Sequence, residues 1–246
     1  MRLRVLGSSS KGNCYILETD TGSLILDCGV RFPDIQKALG FDLSRVVGCL
    51  VTHVHQDHSK AVRDLLRAGI DVYGPTNLIT QAKDGTGHRL FTAYVLKKFE
   101  IGEFVILPFD AQHDVPCVGY LIVYKPTGEK LVYLTDSYYS KYKFTGVHYY
   151  LLECNYITDI LKANIEAGAI PESLKNRLIE SHFSLDNVKG FLRANDLSEV
   201  CKIVLIHLSD GNSDAARMVR EITELTGKDT VAAEAGMEIE LEQYPF

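Results

Sequence analysis

Val46-Val47-Gly48-Cys49-Leu50-Val51-Thr52-His53-Val54-His55-Gln56-Asp57-His58 is an apolar run that ends in three imidazoles and a carboxylate within six residues. Its first seven residues are rich in Val and too few for a helix, so they read as a buried strand. Alternate residues of an extended segment share a side, which puts His53 and His55 together, while Asp57 and His58 open the following turn or helix and reach a neighbouring position. One short segment can therefore serve two adjacent metal ions. Neutral imidazole and carboxylate are borderline ligands that suit Zn²⁺, with Mn²⁺ or Fe as alternative occupants. A lone His is more often a packed or surface residue than a ligand, and His88 and His148 are read that way. A chance run of solvated polar residues is the bland reading of the cluster, and its density weighs against it.

Further apolar or alternating runs with turn residues between them read as strands: 13–18, 23–28, 71–73, 104–108, 118–124, 130–135, 149–154 and 203–207. Helical periodicity covers 57–68, 155–167, 184–194 and 214–226. Gly69, Gly168 and Gly227 sit where three of these helices should stop, and Ser184 and Ser213-Asp214 where two should be capped. Strand-rich halves each followed by helix suggest sheets packed face to face with helices outside, in one α/β domain over residues 1–246. The 46% apolar content is enough for a core and excludes a disordered chain. No stretch is apolar enough to span a membrane, and the N-terminal residues lack the pattern of a signal peptide, so a cytoplasmic protein is expected. The six cysteines include no C-x-x-C pair and are read as reduced core residues. A net charge of −6 argues against broad adhesion to nucleic acid.

Thr52-His53-Val54-His55-Gln56-Asp57-His58 resembles the T-H-x-H-x-D-H signature of the metallo-β-lactamase superfamily. Leu24-Ile25-Leu26-Asp27-Cys28-Gly29 is similar to an early strand motif of that family, and His113, Thr135-Asp136 and His207 follow in the order of its later motifs. The resemblance spans Gly7 to about residue 210 and implies a four-layer αββα sandwich with two metal ions at the open edge between the sheets. It further implies that His53, His55 and His113 hold one Zn²⁺, that Asp57, His58 and His207 hold the other, and that Asp136 bridges them. Asp57 is then placed to orient the attacking water, and Asp27 to accept a hydrogen bond from a ligand His, its plain alternative being a turn residue.

Two metal ions imply hydrolysis, and the second half of the chain narrows the bond. Glu180-Ser181-His182-Phe183-Ser184 resembles the extra His motif of the tRNase Z-like phosphodiesterase branch, where the imidazole protonates the leaving oxygen. The plain alternative is a polar cap on the helix that starts near Ser184. Glu153, in Leu152-Glu153, resembles the carboxylate that backs this His. Gly7-Ser8-Ser9-Ser10-Lys11-Gly12-Asn13 is similar to the opening of a small bacterial nuclease-like subgroup, and its backbone N–H groups suit a phosphate. Residues 74–112 are too few for a large inserted substrate-gripping domain, which favours a small phosphodiester over long nucleic acid. Tyr138 and Tyr139, in the Tyr-rich stretch after Asp136, are candidates to stack a base, or to make a subunit contact. The whole chain resembles the phage anti-Pycsar nucleases, which implies a homodimer, acting in the host cytoplasm, that opens 3′,5′-cyclic mononucleotides to linear monophosphates and silences a cyclic-nucleotide immune signal. A small single-domain exonuclease of the same fold acting on DNA or RNA is the alternative.

Overall fold

The computed structural model describes residues 1–81, 85–171 and 178–242. Strands β1 (Arg2–Ser9), β2 (Gly12–Glu18), β3 (Ser23–Leu26), β4 (Val46–Leu50), β5 (Val72–Gly74) and β6 (Leu90–Thr92) share a sheet with β14 (Glu238–Glu240) in the order β14-β1-β2-β3-β4-β5-β6. The second sheet runs β13-β12-β11-β10-β9-β8-β7, made of β7 (Phe99–Ile101), β8 (Phe104–Ala111), β9 (Cys117–Tyr124), β10 (Glu129–Leu134), β11 (Tyr149–Glu153), β12 (Lys202–Ile206) and β13 (Asp229–Ala232). Each sheet passes from antiparallel pairs to parallel ones, at β3–β4 in the first and at β10–β11 in the second.

Alternation along the strands builds the layers. Tyr15 and Leu17 of β2, Leu131 and Tyr133 of β10, and Val204 and Ile206 of β12 face the core between the sheets. Their neighbours point the other way: Cys14 and Ile16 meet Ile35 of α1 (Phe32–Ala38) and Val62 and Leu65 of α3 (Val62–Arg67). Val132, Ile203 and Leu205 meet Val188 and Leu192 of α5 (Leu185–Ala194) and Met218 and Ile222 of α6 (Ala215–Thr226). Strands buried on both faces belong to an αββα sandwich, the architecture expected from the sequence. Five of the six cysteines are buried and all six are free thiols. Among the described residues no helix is long and apolar enough to cross a membrane.

The helix ends follow the sequence closely. Gly69, Gly168 and Gly227 adopt positive φ just past α3, α4 (Thr158–Glu166) and α6, and Ser184 and Asp214 cap α5 and α6 by accepting backbone N–H bonds from Asn187 and Arg217. Two helices differ from expectation. The helix expected over 57–68 is split into α2 (Gln56–Ser59) and α3, because the N–H of Ala61 donates to Cys28 O instead of continuing the ladder to Asp57. The one expected from residue 155 starts only at Thr158, because Asn155 bonds Phe183 O through its N–H and His207 O through its side chain.

Candidate metal centre

The centre forms where strands of both sheets end, the position at which open α/β sheets place their ligands. Asp27 follows β3, His53 and His55 follow β4, His113 follows β8, Asp136 follows β10, Glu153 closes β11 and His207 follows β12. Asp27, Asp136 and His207 carry φ of 54°, 48° and 54°, a left-handed conformation that costs a non-Gly residue about 1 kcal/mol or more. The surroundings impose it: Asp27 N–H donates to Leu50 O, and His207 N–H donates to Ser8 Oγ while its carbonyl accepts from Asn155. The chain thereby turns sharply at each strand end and presents the side chain instead of extending the sheet.

Three imidazoles meet nitrogen to nitrogen. His55 Nδ1 lies 3.1 Å from His53 Nε2 and 3.2 Å from His113 Nε2. A tetrahedral ion with Zn–N bonds of about 2.0–2.1 Å separates its ligand atoms by about 3.3 Å, so this triad has the dimensions of one ligand set. Beside it, Asp57 Oδ2 lies 3.5 Å from His58 Nε2 and 3.9 Å from His207 Nε2. Asp136 stands between the two groups, with Oδ2 2.8 Å from His58 Nε2 and 3.2 Å from His207 Nδ1, and it also clusters with His53. Both ring nitrogens of His207 are buried without a well-directed hydrogen bond, although Asp136 and Glu153 oxygens lie 3.2 Å from Nδ1. Buried nitrogens left undirected are costly, and a ligated cation would satisfy them; the donor set fits a pair of divalent ions.

Supporting groups fix the rings. The fully buried Asp27 carboxylate accepts from Thr52 N–H at 2.7 Å, from Thr52 Oγ and from Tyr133 OH, and holds His58 through Nδ1 at 2.7 Å. This leaves His58 Nε2 facing Asp136. His113 Nδ1 lies 3.2 Å from Ser181 O. Glu153, also fully buried, sits 2.6 Å from His182 Nδ1 and 3.2 Å from His207 Nδ1 through Oε1, while Oε2 accepts the N–H groups of Ser137 and Phe183. His182 Nδ1 is also 3.1 Å from Asp136 Oδ1. Its other nitrogen is therefore the one left for a ligand in the cleft.

Burial pushes His53 and His113 below the ordinary imidazole value, so both are neutral at pH 7. Burial also acts downward on His182 and His207, but Glu153 and Asp136 for the first, and Asp136 and then Glu153 for the second, outweigh it and raise them to about 10 and about 9. His58 is likewise raised well above its usual value by Asp136 and Asp27 against the pull of burial. Burial would raise Asp136, yet His207 and His58 hold it well below the carboxylate range. Without a metal the centre is thus an interleaved set of imidazolium and carboxylate charges.

These side chains line a cleft of about 430 Å³ whose wall includes His55, Asp57, His113, Asp136, His182 and His207, with Ser10 of the β1–β2 turn on the rim. The structure brings together all seven ligand candidates with Asp27, Glu153 and His182. Tyr138 and Tyr139 are not on this wall; they line a neighbouring cavity. His148 is buried elsewhere, accepting Lys130 N–H, and His88 lies on an exposed 3₁₀ turn. Sequence reasoning passes over Asn13, whose Nδ2 is 3.0 Å from His58 Nε2, over Asp114, whose carboxylate is 3.1 Å from His113 Nε2, and over Tyr133 and Asn155. Asn13 closes the Ser-rich turn and Asp114 adjoins His113, so adjacency was a signal for both; Tyr133 sits mid-strand and gave none.

The profile of the metallo-beta-lactamase superfamily matches residues 9–134. The exodeoxyribonuclease WalJ of Streptococcus pneumoniae is 27% identical over 98% of this chain and 92% of its own length. Among solved structures, the metallo-beta-lactamase fold protein YhfI of Bacillus subtilis superposes with a TM-score of 0.74 at 16% identity, over 97% of this chain and 99% of YhfI. The short form of human tRNase Z does so at 0.65 and 17% identity, over 98% of this chain and all of its own. With this profile over half its length and the same sandwich around the centre, the chain belongs to the metallo-β-lactamase superfamily of hydrolases.

Proposed function

We propose that the chain is a metal-dependent phosphodiesterase that removes nucleotides from the end of a DNA strand. The observation that carries the reading is His182. The seven candidate ligands would fill two ion sites with Asp136 between them; the His182 ring, which also clusters with Asp136, Glu153 and His207, is fastened to buried Glu153 through Nδ1 and lines the cleft, which leaves its other nitrogen for a substrate. A phosphodiester has a poor alkoxide leaving group, and an imidazolium held beside it meets that need, by a typical factor of about 10²–10⁴.

In this reading His53, His55 and His113 would hold one ion and Asp57, His58 and His207 the other, with Asp136 shared between them, and two Zn²⁺ would be the occupants with Mn²⁺ as substitute. When bound, such a pair supplies Lewis acidity and a water acidified toward neutrality. Asp57, half-exposed on the cleft wall, orients the attacking water by accepting its hydrogen bond. His182 gives its proton to the departing oxygen as the P–O bond breaks, and Glu153 keeps the ring charged until then. Asp27, fastened to His58 and Tyr133, and Glu153, fastened to His182 and to the N–H groups of Ser137 and Phe183, pre-position these groups for the step.

The strand-end substrate rests on the likeness to WalJ, which carries an exodeoxyribonuclease name over nearly the whole chain. A second reading, opening of 3′,5′-cyclic mononucleotides to linear monophosphates and with it the suppression of a cyclic-nucleotide immune signal, is favoured by one observation: among the described residues no Lys or Arg lines the cleft, as a small substrate would allow. The test incubates zinc- or manganese-loaded protein with end-labelled single-stranded DNA and with the four cyclic mononucleotides, using Asp136→Asn as blank. Progressive shortening of DNA to mononucleotides is the expected result. Opening of the cyclic compounds alone selects the second reading, and turnover of neither overturns both.

A further inference from the structure

The geometry points to a base-binding subsite beside the metal cleft, formed by Tyr138 and Tyr139 with Phe183, which takes the nucleobase next to the scissile phosphate. This rests on the phosphodiester reading and deepens it. The loop after β10 carries four aromatic residues between 138 and 144. Two of them belong to the core: Tyr142 and Phe144 pack on Phe109 at 5.5 and 4.9 Å between ring centres. Tyr138 and Tyr139 are 39% and 56% exposed, and among the described residues neither ring meets another ring. They line a cavity of about 280 Å³ together with the buried Phe183 and one side of α5 from Asp186 to Ala194.

The rings are exposed but their backbone is fastened. Ser137 Oγ donates to Tyr139 O at 2.8 Å and accepts Gln112 N–H, Tyr138 N–H donates to Gln112 O, and Asn187 Nδ2 donates to Tyr138 O at 3.0 Å. Glu153 ties both walls to the catalytic centre, because the Oε2 that accepts Ser137 N–H also accepts Phe183 N–H while Oε1 holds His182. Rings presented by a fixed backbone form a stacking platform with little ordering cost.

Position selects the occupant. His182 and Asp136 line the metal cleft while Phe183 and Tyr138, one and two residues further on, line the aromatic cavity, so the same two chain segments border both spaces. A diester whose phosphorus sits at His182 therefore carries an adjoining base within reach of the tyrosines. Lys141 and Lys143 lie on the cavity wall, Lys141 with its ammonium 5.4 Å from the centre of the Tyr142 ring, and both offer positive charge to a flanking phosphate. Asp186, the acidic group on that wall, accepts a hydrogen bond from Thr158. An aromatic slot with two ammonium groups at its lip fits a nucleotide better than an apolar chain.

The experiment uses the metal-loaded full chain, its Tyr139→Ala and Tyr139→Phe variants, and two probes. Binding of thymidine 5′-monophosphate, which has no diester to cleave, is compared with that of 2-deoxyribose 5-phosphate by titration and by amide shifts. Cleavage of a thymidine dinucleotide is compared with the same compound made abasic at one position. Base-bearing ligands are expected to be favoured about ten-fold or more, with shifts at 138–143 and 183–187; Tyr139→Ala removes the preference and Tyr139→Phe keeps it. Equal binding of the base-free phosphate, or a preference that survives Tyr139→Ala, overturns the subsite. If the dinucleotide and its abasic form are both cleaved equally, the subsite falls and the phosphodiester reading stands. If neither is cleaved but the Tyr139-dependent binding is seen, that reading falls and the subsite stands as a nucleotide site.

Discussion

Asp136 and His182 face each other at 3.1 Å, yet they should fail in different ways when replaced. Asp136→Asn keeps the shape of a side chain set in a left-handed turn but removes the charge between the two ligand groups. The expected outcome is a loss of turnover of at least about 10²-fold with an unchanged circular dichroism spectrum, because the ligand charge is lost and the sheet is not. His182→Ala should lower kcat by about 10²–10⁴-fold while metal content, read by atomic emission, stays at the wild-type level. Loss of metal in His182→Ala would make it a ligand instead of an acid. The raised His58 and His207 predict a pH effect with a fixed sign. A group raised in the folded state stabilises fully below its unfolded value, 6.5, and loses that contribution as pH rises through its folded value, about 9 for His207. Chelated protein should therefore melt at progressively lower temperature between about pH 6.5 and 9, and metal affinity should rise over the same window, because ligation needs the neutral ring. Calorimetry in two buffers of different ionisation enthalpy should show proton release on metal binding at pH 7; none would mean the rings are already neutral.

Between residues and sheets, the decisive element is the short turn α2, which packs against Cys28 and Gly29 just past β3. A Cβ on Gly29 would stand 1.7 Å from Asp57 O, closer than any relaxation of a side chain can relieve, since the obstacle is backbone. Gly29→Ala should push the Asp57–His58 turn away from β3, costing on the order of 1–3 kcal/mol in denaturant melts and lowering metal content together with stability. An alanine with wild-type metal content would show that the turn tolerates displacement. The same docking explains what periodicity missed. The pattern over 57–68 is helical throughout, but tertiary bonding of Ala61 N–H to Cys28 O splits it, and no local signal encodes a partner that is 33 residues away. Strands with both faces buried, such as β10, β11 and β12, were legible as apolar runs. The three-residue β6, β7 and β14 were not, because each exists only by pairing with a neighbour, β7 and β14 with longer strands and β6 with the equally short β5. Pro108 made β8 read short; the strand continues past it because β7 pairs only as far as Ile106, so on that side no ladder bond is lost.

At the scale of the molecule, the ligand candidates were legible because they are concentrated in one dense motif and at the ends of apolar strands, and the topology brings those ends to one edge. The separation of Tyr138 and Tyr139, which face a cavity lined by α5, from the metal cleft was not legible, since it depends on where the fold places α5, which spacing along the chain does not encode. That separation has a consequence for how a strand is held. Among the described residues no Lys or Arg lines the cleft, the net charge is −6, and Lys141 and Lys143 are the ammonium groups on the adjoining cavity wall. A single strand releases about 0.7 counterion per neutralised phosphate, so two lysines predict a slope of about −1.4 in a double-logarithmic plot of kcat/KM against salt. Raising sodium chloride from about 50 to 200 mM should then slow cleavage of single-stranded DNA by about seven-fold, and Lys141→Ala combined with Lys143→Ala should flatten the dependence nearly to zero. A loss of 10³-fold or more over that range would require an extended basic track that the described residues of these two cavities do not present, and would place the strand on a different face of the protein.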